Sequence, residues 1–434
     1  EFRRVLFRSG VFPHSFGIYK ASGYPKGTLG IGRDKVERRR REWGMRAVHE
    51  IMGTANTQVR AFGYGVGFNY HGDTLKVWNY WEDEPAFTVD NDRVRAILMA
   101  RPADEKLLLV LQSWEKGPAT AKVTLKPERI GFDPGKHIYN GFNNQRWQFD
   151  GRTIEVRFEF PHETLPLVIS HDTLPEGVLF ADDFNEGCDF GWDYFQGYGY
   201  NGPRVKDNAL CFAENRATWT GPTRVFKYLN LPEFSDTSLS FSFRIERVPE
   251  GNTGLLSASF PATDMRWSKH GISHSYVAGG VHLKLSADKE KGFVWAARVR
   301  DGKKTKTVGQ GVSGPLDTET HQVRIRLTED GQYSVTVDEK EVLRATEVPI
   351  RSGNAFGIAA DNKFHRKLRG KRLSNAVGAL WLDDVVLRAD KTDDTALQAL
   401  RKEARKRSAE ILAQRQDKLL EMVRAAFGQD GAKK

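Results

Sequence analysis

Three stretches of this chain switch between apolar and polar residues at every second position: "TIEVRFEF" (153–160), "SLSFSFRI" (238–245) and "YSVTV" (333–337). A period of two sends successive side chains to opposite faces of a strand, so each stretch has one face for a core and one for water. A helix cannot satisfy that pattern. The chain must therefore build sheets that pair their apolar faces.

Two sets of such runs follow one another. In residues 76–174 the runs are "KVWNYW", "RVRAILMA", "KLLLVLQSW", "ATAKVTL", "TIEVRFEF" and "TLPLVIS", separated by turn sequences such as "PADE", "EKGP" and "FDPG". Many short strands at this spacing predict an antiparallel β-sandwich. Residues 178–390 repeat the texture with "TSLSFSFRIERV", "GGVHLKLSA", "GFVWAARVR", "HQVRIRLTED", "GQYSVTVDEKEVL", "AFGIAAD" and "LWLDDVVLR". "EDGQ" and "VRDGKK" close hairpins, which predicts a second sandwich, of jelly-roll type.

The flanks differ. In "RDKVERRRREWGMRAVHEIMG", Val36, Trp43, Ala47, Val48 and Ile51 recur at helical spacing, and Gly53 lies just past the end. Residues 10–75 then read as the last βα unit of a larger α/β barrel, because one strand, one loop and one helix cannot bury a core alone. Residues 391–427 carry Leu397, Leu400, Ala404, Ile411, Leu419, Val423 and Phe427 as the apolar stripe of an amphipathic helix, a surface for packing or homo-oligomerisation. Residues 1–9, "EFRRVLFRS", back-translate to the end of a common sequencing-library adapter and are excluded from fold reasoning; Gly10 is the first residue used, and the protein's own chain is expected to start upstream.

Of the formal net charge of +10, residues 1–9 contribute +2; much of the rest lies in "KFHRKLRGKR" (363–372) and the C-terminal segment. Such charge attracts nucleic acid or acidic glycans, but no nucleic-acid motif accompanies it, and solvated loop and helix faces account for it. No apolar run reaches membrane-spanning length. Cys188 and Cys211 fit neither a zinc site nor a redox pair; one disulfide or two thiols both remain open. No HExxH, GxSxG or complete dinucleotide-binding glycine pattern occurs.

"VWNYWEDEPAF" sets Trp78, Tyr80 and Trp81 beside Glu82, Asp83 and Glu84. Rings and carboxylates together suit sugars. Trp78 and Tyr80 share one strand face, however, and the acids precede Pro85 in a turn, which favours an edge strand over a catalytic site. His14 and Tyr19 follow a strand-like run where barrel enzymes place functional residues, and are candidate substrate contacts.

The stretch "LFADDFNEGCDFGWDYFQGYGYNGPRVKDNALCF" (179–212) resembles the opening of concanavalin A-like and laminin G-like sandwiches, which begin with an Asp-rich "D-D-F" and close with an "I/L-D-D-V" strand, here "LWLDDVVL". The resemblance covers most of 178–390. It implies that the first and last strands meet, bringing Asp182 or Asp183 near Asp383 or Asp384, where carboxylates would suit a structural calcium ion. It also implies a carbohydrate partner, with Trp192, Tyr194, Tyr198 and Tyr200 as candidate contacts. No organic cofactor is implied.

In order, the chain reads as an α/β unit, a small sandwich, a lectin-like sandwich and a helix. This resembles the rear of a multidomain glycoside hydrolase, loosely of the glycoside hydrolase family 123 type, over residues 10–174. That family uses an adjacent Asp-Glu pair on a barrel strand. Asp83-Glu84 matches the letters beyond the barrel helix, so the catalytic role is not carried over. The implied fold class is mainly β: two sandwiches after a barrel remnant, with a C-terminal helix. The implied function is carbohydrate binding beside catalytic residues on a preceding barrel, in an extracellular, periplasmic or cell-surface protein. A non-enzymatic glycan-binding or adhesion protein is the alternative, and a scaffold oligomerising through the C-terminal helix is a third.

Overall fold

The computed structural model describes residues 75–389 apart from short internal stretches, the longest at 185–191, 196–203, 213–222, 229–235, 268–274 and 361–377, together with Arg40, Arg41, Gly44 and residues 47–49. The chain is mainly β, with antiparallel sheets packed as sandwiches. Most of the expected barrel remnant, the "KFHRKLRGKR" segment and the whole C-terminal helix lie outside the described residues.

The first set of strands is β1 (Lys76–Asn79), β2 (Phe87–Val89), β3 (Val94–Arg101), β4 (Lys106–Ser113), β5 (Ala119–Leu125), β6 (His137–Asn140), β7 (Arg146–Gln148), β8 (Thr153–Phe158) and β9 (Thr164–Ser170). They form a six-stranded sheet in the order β1-β3-β4-β9-β6-β7 and a three-stranded sheet in the order β2-β5-β8. The contrast between alternating and continuous apolar runs is explained by these layers. In β8 buried and exposed residues alternate, because its sheet has one wet face. In β3 and β4 both faces are covered. Leu98, Leu107, Leu109 and Leu111 enter the core shared with Val123, Leu125, Ile154 and Phe158 of the three-stranded sheet. Ile97, Met99, Leu108 and Val110 point the other way, onto Ala47 and Val48.

Ala47 and Val48 belong to the expected helix, whose Val48 N–H donates to the Gly44 carbonyl at 3.0 Å. Gly44 is where that helix touches the sheet: a Cβ there would meet Gln112 Oε1 at 2.6 Å and collide with the Thr164 side chain. Arg40 reaches across to donate to the Phe142 carbonyl at 2.8 Å. His49 lies among Tyr80, Trp81 and Trp114, at ring separations of 5.8, 6.2 and 5.9 Å. Burial lowers the pKa of His49, so the ring in this seam is neutral at pH 7. Trp78 and Tyr80 pack against the small-sandwich core, as a strand-edge role requires.

The second set is β10 (Val178–Asp182), β11 (Asp193–Phe195), β12 (Arg204–Lys206), β13 (Ala209–Phe212), β14 (Thr223–Tyr228), β15 (Thr237–Ile245), β16 (Thr253–Trp267), β17 (Ser275–Asp288), β18 (Gly292–Asp301), β19 (Lys304–Val312), β20 (His321–Leu327), β21 (Tyr333–Val337), β22 (Lys340–Ala345), β23 (Ala355–Ala360) and β24 (Leu380–Ala389). One sheet runs β12-β13-β24-β15-β20-β21-β22, with β10 also on β24; the facing sheet runs β11-β14-β23-β16-β17-β18-β19. Leu239, Phe241, Phe243, Val323 and Ile325 of one meet Leu283, Leu285, Trp295, Phe356 and Ile358 of the other in a single core. At one edge β19 crosses β22 so closely that a Cβ on Gly311 would overlap the Val342 carbonyl.

The run "GQYSVTVDEKEVL" is two strands rather than one. Asp338 and Glu339 turn the chain with φ of 48° and 67°, the signature of a two-residue hairpin turn. Asp338 compensates for the unfavourable backbone region by bonding across the sheet. Its carboxylate accepts from Gln322 N at 2.8 Å and from His321 Nδ1 at 2.7 Å, while Asp317 takes His321 Nε2 at 2.8 Å. The ring packs edge-on to Phe293 at 5.0 Å. Burial alone would lower the His321 pKa, but the two carboxylates outweigh it and raise it above the ordinary 6.5. Stability from this clamp is complete below that value and is lost as pH rises through the raised one. In thermal unfolding between about pH 5.5 and 8.5, the native midpoint should fall with pH more steeply than that of His321→Asn. Parallel profiles would remove the clamp from the stability of the hairpin.

The small and large sandwiches touch through the β6–β7 hairpin. Lys227 on β14, fully buried, donates to the Gly141 carbonyl at 3.2 Å and lies 5.0 Å from the Phe180 ring centre. Asn144 donates its side-chain amide to the Leu179 carbonyl.

Candidate functional site

The acidic pairs at the two ends of the large sandwich do meet, but as backbone devices. β10 pairs antiparallel with β24, placing Asp182 opposite Val385. The Asp182 carboxylate accepts from the Phe184 backbone N–H at 3.0 Å, closing an Asx turn that carries Phe184 at φ 54°. Its other oxygen accepts from the Trp192 indole N–H at 2.7 Å. On β24, Ser240 faces Val386 while Ser242 faces Asp383, so Asp384 and Val385 together oppose one residue, Phe241: a β-bulge. Asp384 takes φ 49° there and donates its N–H to Asp383 Oδ1 at 2.8 Å.

The calcium expectation for Asp182, Asp183, Asp383 and Asp384 therefore concerns carboxylates of which two, Asp182 and Asp383, accept bonds from within the protein. Both Asp182 oxygens are engaged by N–H groups, and Asp383 is turned to its neighbour's amide. Burial, followed by the charges of Asp384 and Asp183, raises the Asp383 pKa against that amide bond. A calcium cage needs six to eight converging oxygens. No group of three His, Cys, Asp or Glu side chains suited to a metal occurs among the described residues.

Trp192, expected on a sugar-binding surface, is buried. It is 1% exposed and packs edge-on to Phe180 at 5.2 Å and to Phe356 at 5.6 Å, so no sugar can reach its face. Tyr194 lies on β11, whose side chains are outside the described residues, as are His14, Tyr19, Tyr198 and Tyr200. Cys211 is a buried free thiol, and burial raises its pKa, which leaves it protonated at pH 7. Cys188 is outside the described residues.

The polar surface that the sequence did not single out is the outer face of the seven-stranded sheet. Val281, Leu283 and Leu285 of β17 point into the core, so His282, Lys284 and Ser286 point out. On β18, Trp295, Ala297 and Val299 point in, leaving Val294, Ala296, Arg298 and Arg300 outside. Register aligns these into rows: Ser259, His282, Arg298 and Thr307; Ser257, Lys284, Ala296 and Gln310; Gly280, Arg300 and Thr305; Ser286, Val294 and Val312. Toward β23 the rows continue through Gly357 and Ala359. Ser259 Oγ and His282 Nδ1 are hydrogen-bonded at 3.1 Å, pinning the ring across the strands. Toward β16 and β23 the rows are buried at Ser259, Gly357 and Ala359, while on β18 and β19 Arg298, Thr305, Thr307 and Gln310 are exposed. Hydroxyl, amide, imidazole and cationic groups at this spacing can bond a polyhydroxylated chain laid across the pleat. The signal in the sequence was the polar half of "VHLKLSA" and "WAARVR", legible only once register joined the two strands.

No family model and no curated protein matches the chain. Solved structures similar to part of it include the carbohydrate recognition domain of Emp47p (11% identity, 50% of this chain and 99% of that one, TM-score 0.39). Others are the carbohydrate-binding module CBM66 from Bacillus subtilis (12% identity, 46% and 95%, TM-score 0.30) and the exoplasmic/lumenal domain of VIP36 in a Ca2+/Man3GlcNAc-bound form (11% identity, 47% and 86%, TM-score 0.35).

Proposed function

We propose that this chain is a glycan-binding protein whose large sandwich carries the binding surface. The observation that carries this reading is the outer face of the seven-stranded sheet, where exposed hydroxyl, amide and cationic side chains of β18 and β19 lie side by side in register. Sugars are recognised by such multiple hydrogen bonds, each weak alone, over a surface wider than one residue. Tyr194, Tyr198 and Tyr200 are proposed as stacking contacts, and His14 and Tyr19 as further substrate contacts. No helix among the described residues is long and apolar enough to cross a membrane. An extracellular, periplasmic or cell-surface location accords with this role.

In the finer form of the proposal the sandwiches are accessory parts of a glycoside hydrolase, with catalysis on a preceding barrel. Its support is the helix at Gly44–Val48 docked on the six-stranded sheet, the contact expected where a barrel's final helix meets a following sandwich. Reading the source gene upstream of Gly10 tests it: repeated βα units with carboxylates at strand ends are expected, and a start codon at that point would overturn it.

Glycan binding itself is tested by retention on a panel of immobilised neutral and acidic polysaccharides. Retention on at least one, weakened by Tyr198→Ala and by Gln310→Ala, is expected. Free passage over every matrix would refute the reading.

A further inference from the structure

Residues 313–320, "SGPLDTET", lead from β19 to β20 and so from one sheet of the large sandwich to the other. Their first two residues are tied to β18. Ser313 N donates to the Phe293 carbonyl at 3.0 Å, Phe293 N to the Gly314 carbonyl at 3.2 Å, and the Trp295 indole N–H to Ser313 Oγ at 2.7 Å. Beyond them Leu316, partly buried, packs on the core. From Pro315 to Thr320, among the described residues, one hydrogen bond leaves the segment: His321 Nε2 to Asp317 Oδ1, at 2.8 Å. Glu319 N also donates to Asp317, at 2.9 Å, but that bond stays within the segment.

The other ring nitrogen, Nδ1, lies 2.7 Å from Asp338 Oδ2. An ionised carboxylate accepts and cannot donate, and a neutral imidazole carries one N–H and one lone pair. Only the imidazolium satisfies both contacts at once. Burial works against it, yet the bonds from His321 and Gln322 hold the Asp338 carboxyl below the ordinary carboxylate value. Phe243 of β15 and Phe293 of β18 pack on the ring without charge. In the β21–β22 turn Lys340 acts on Asp338 and Glu339 is exposed, as is Glu319 in the segment itself. When the ring loses a proton, one of the two contacts must open. Asp338 is fixed by its turn and by the Gln322 N–H at 2.8 Å, so the remaining proton stays on Nδ1. The Nε2 lone pair then faces the Asp317 carboxylate, acceptor against acceptor. The Asp317 side chain is 37% exposed, so water can take the place of the ring.

We propose that residues 315–320 form a strap which the His321 imidazolium holds closed on the core, and that loss of its proton releases the strap at Asp317. Burial lowers the His321 pKa, but the two carboxylates outweigh it and raise it. Closure is therefore complete below the ordinary value of 6.5 and is lost as pH rises through the raised one. Leu316, next to Asp317, leaves the core surface with the strap. Ser313 and Gly314 keep their bonds to β18, and Asp338 keeps its turn, so the opening is local and precedes unfolding of the sandwich. The device is independent of what the outer face of the facing sheet binds.

Hydroxyl-radical footprinting of the full chain at about pH 5.5 and 8.5 tests this, with side-chain oxidation read by mass spectrometry. Leu316 reports the strap, the exposed Val248 normalises the radical dose, and Leu343, buried on β22, reports the hairpin edge. Circular dichroism verifies folding at both pH values. Oxidation of Leu316 should rise severalfold from the lower pH to the higher, while Leu343 stays protected. Asp317→Ala should show the high value at both. Asp317→Asn should show the low value at both, because its amide can donate to a bare Nε2 and its carbonyl can accept from the imidazolium. Equal Leu316 oxidation of the native chain at the two pH values would overturn the proposal. So would a pH step that survives in Asp317→Ala. Leu343 reacting together with Leu316 would make the whole edge open and overturn the local release.

Discussion

Replacing Gly311 with valine will unfold the large sandwich at a much lower temperature than the native chain. Gly311 lies on β19 where it crosses β22, and a Cβ there would approach the Val342 carbonyl carbon to 2.7 Å and its oxygen more closely still. The obstacle is backbone within a sheet, not the end of a flexible side chain, so relief requires pulling the two edges apart. A Cβ at Gly309 would likewise meet the Leu343 side chain at 3.0 Å and the Arg344 carbonyl oxygen at 3.3 Å, so the two edges are close along this stretch. Overpacking against backbone stands at the upper end of its range, about 3 kcal/mol. In a domain of this size that lowers the midpoint by roughly 10 °C. Gly117→Ala is the matched control, because nothing lies within 4 Å of its Cβ position. Circular dichroism melting checks both, and a Gly311→Val chain melting with the native one would show that the edge is open.

Trp192→Ala should be nearly as damaging, and its damage should be to stability, not binding. The side chain fills the centre of a cluster with Phe180, Phe184 and Phe356, and its indole N–H is bonded to a buried carboxylate. Removing it leaves a cavity and costs about 3–5 kcal/mol. It also strands the Asp182 oxygen that accepts the indole hydrogen. Trp192→Phe separates the two contributions: much of the volume stays and the hydrogen bond goes, so the loss should be roughly half. The measurement is chemical denaturation with tryptophan fluorescence, run beside glycan retention below the transition. Weakened retention of a fully folded Trp192→Ala chain would return this ring to the surface.

Much of the fold was legible in the sequence because burial in a sheet leaves a local mark. "TIEVRFEF" alternates since β8 has water on one side, and "KLLLVLQSW" does not since β4 is covered on both. The short polar hairpin at His137–Asn140 and Arg146–Gln148 escaped notice, because strands of three or four residues without an apolar run carry no period. β12, β13 and β14 were not among the runs read as strands either.

The candidate site was far less legible. The sequence by itself determined which side chains share a strand face, while the resemblance carried by the "DDF" and "LDDV" motifs implied that the ends of the large sandwich meet. Only the tertiary structure decided what those motifs do: Asp182 holds a turn and an indole, and Asp383 and Asp384 shape a bulge. Only register could place His282 opposite Arg298, since the residues of one row come from separate strands. The physical reason is range. Alternation is set by the pleat within a few residues, whereas a carboxylate's partner, an indole's burial and a row of cations depend on which distant strands the core draws together.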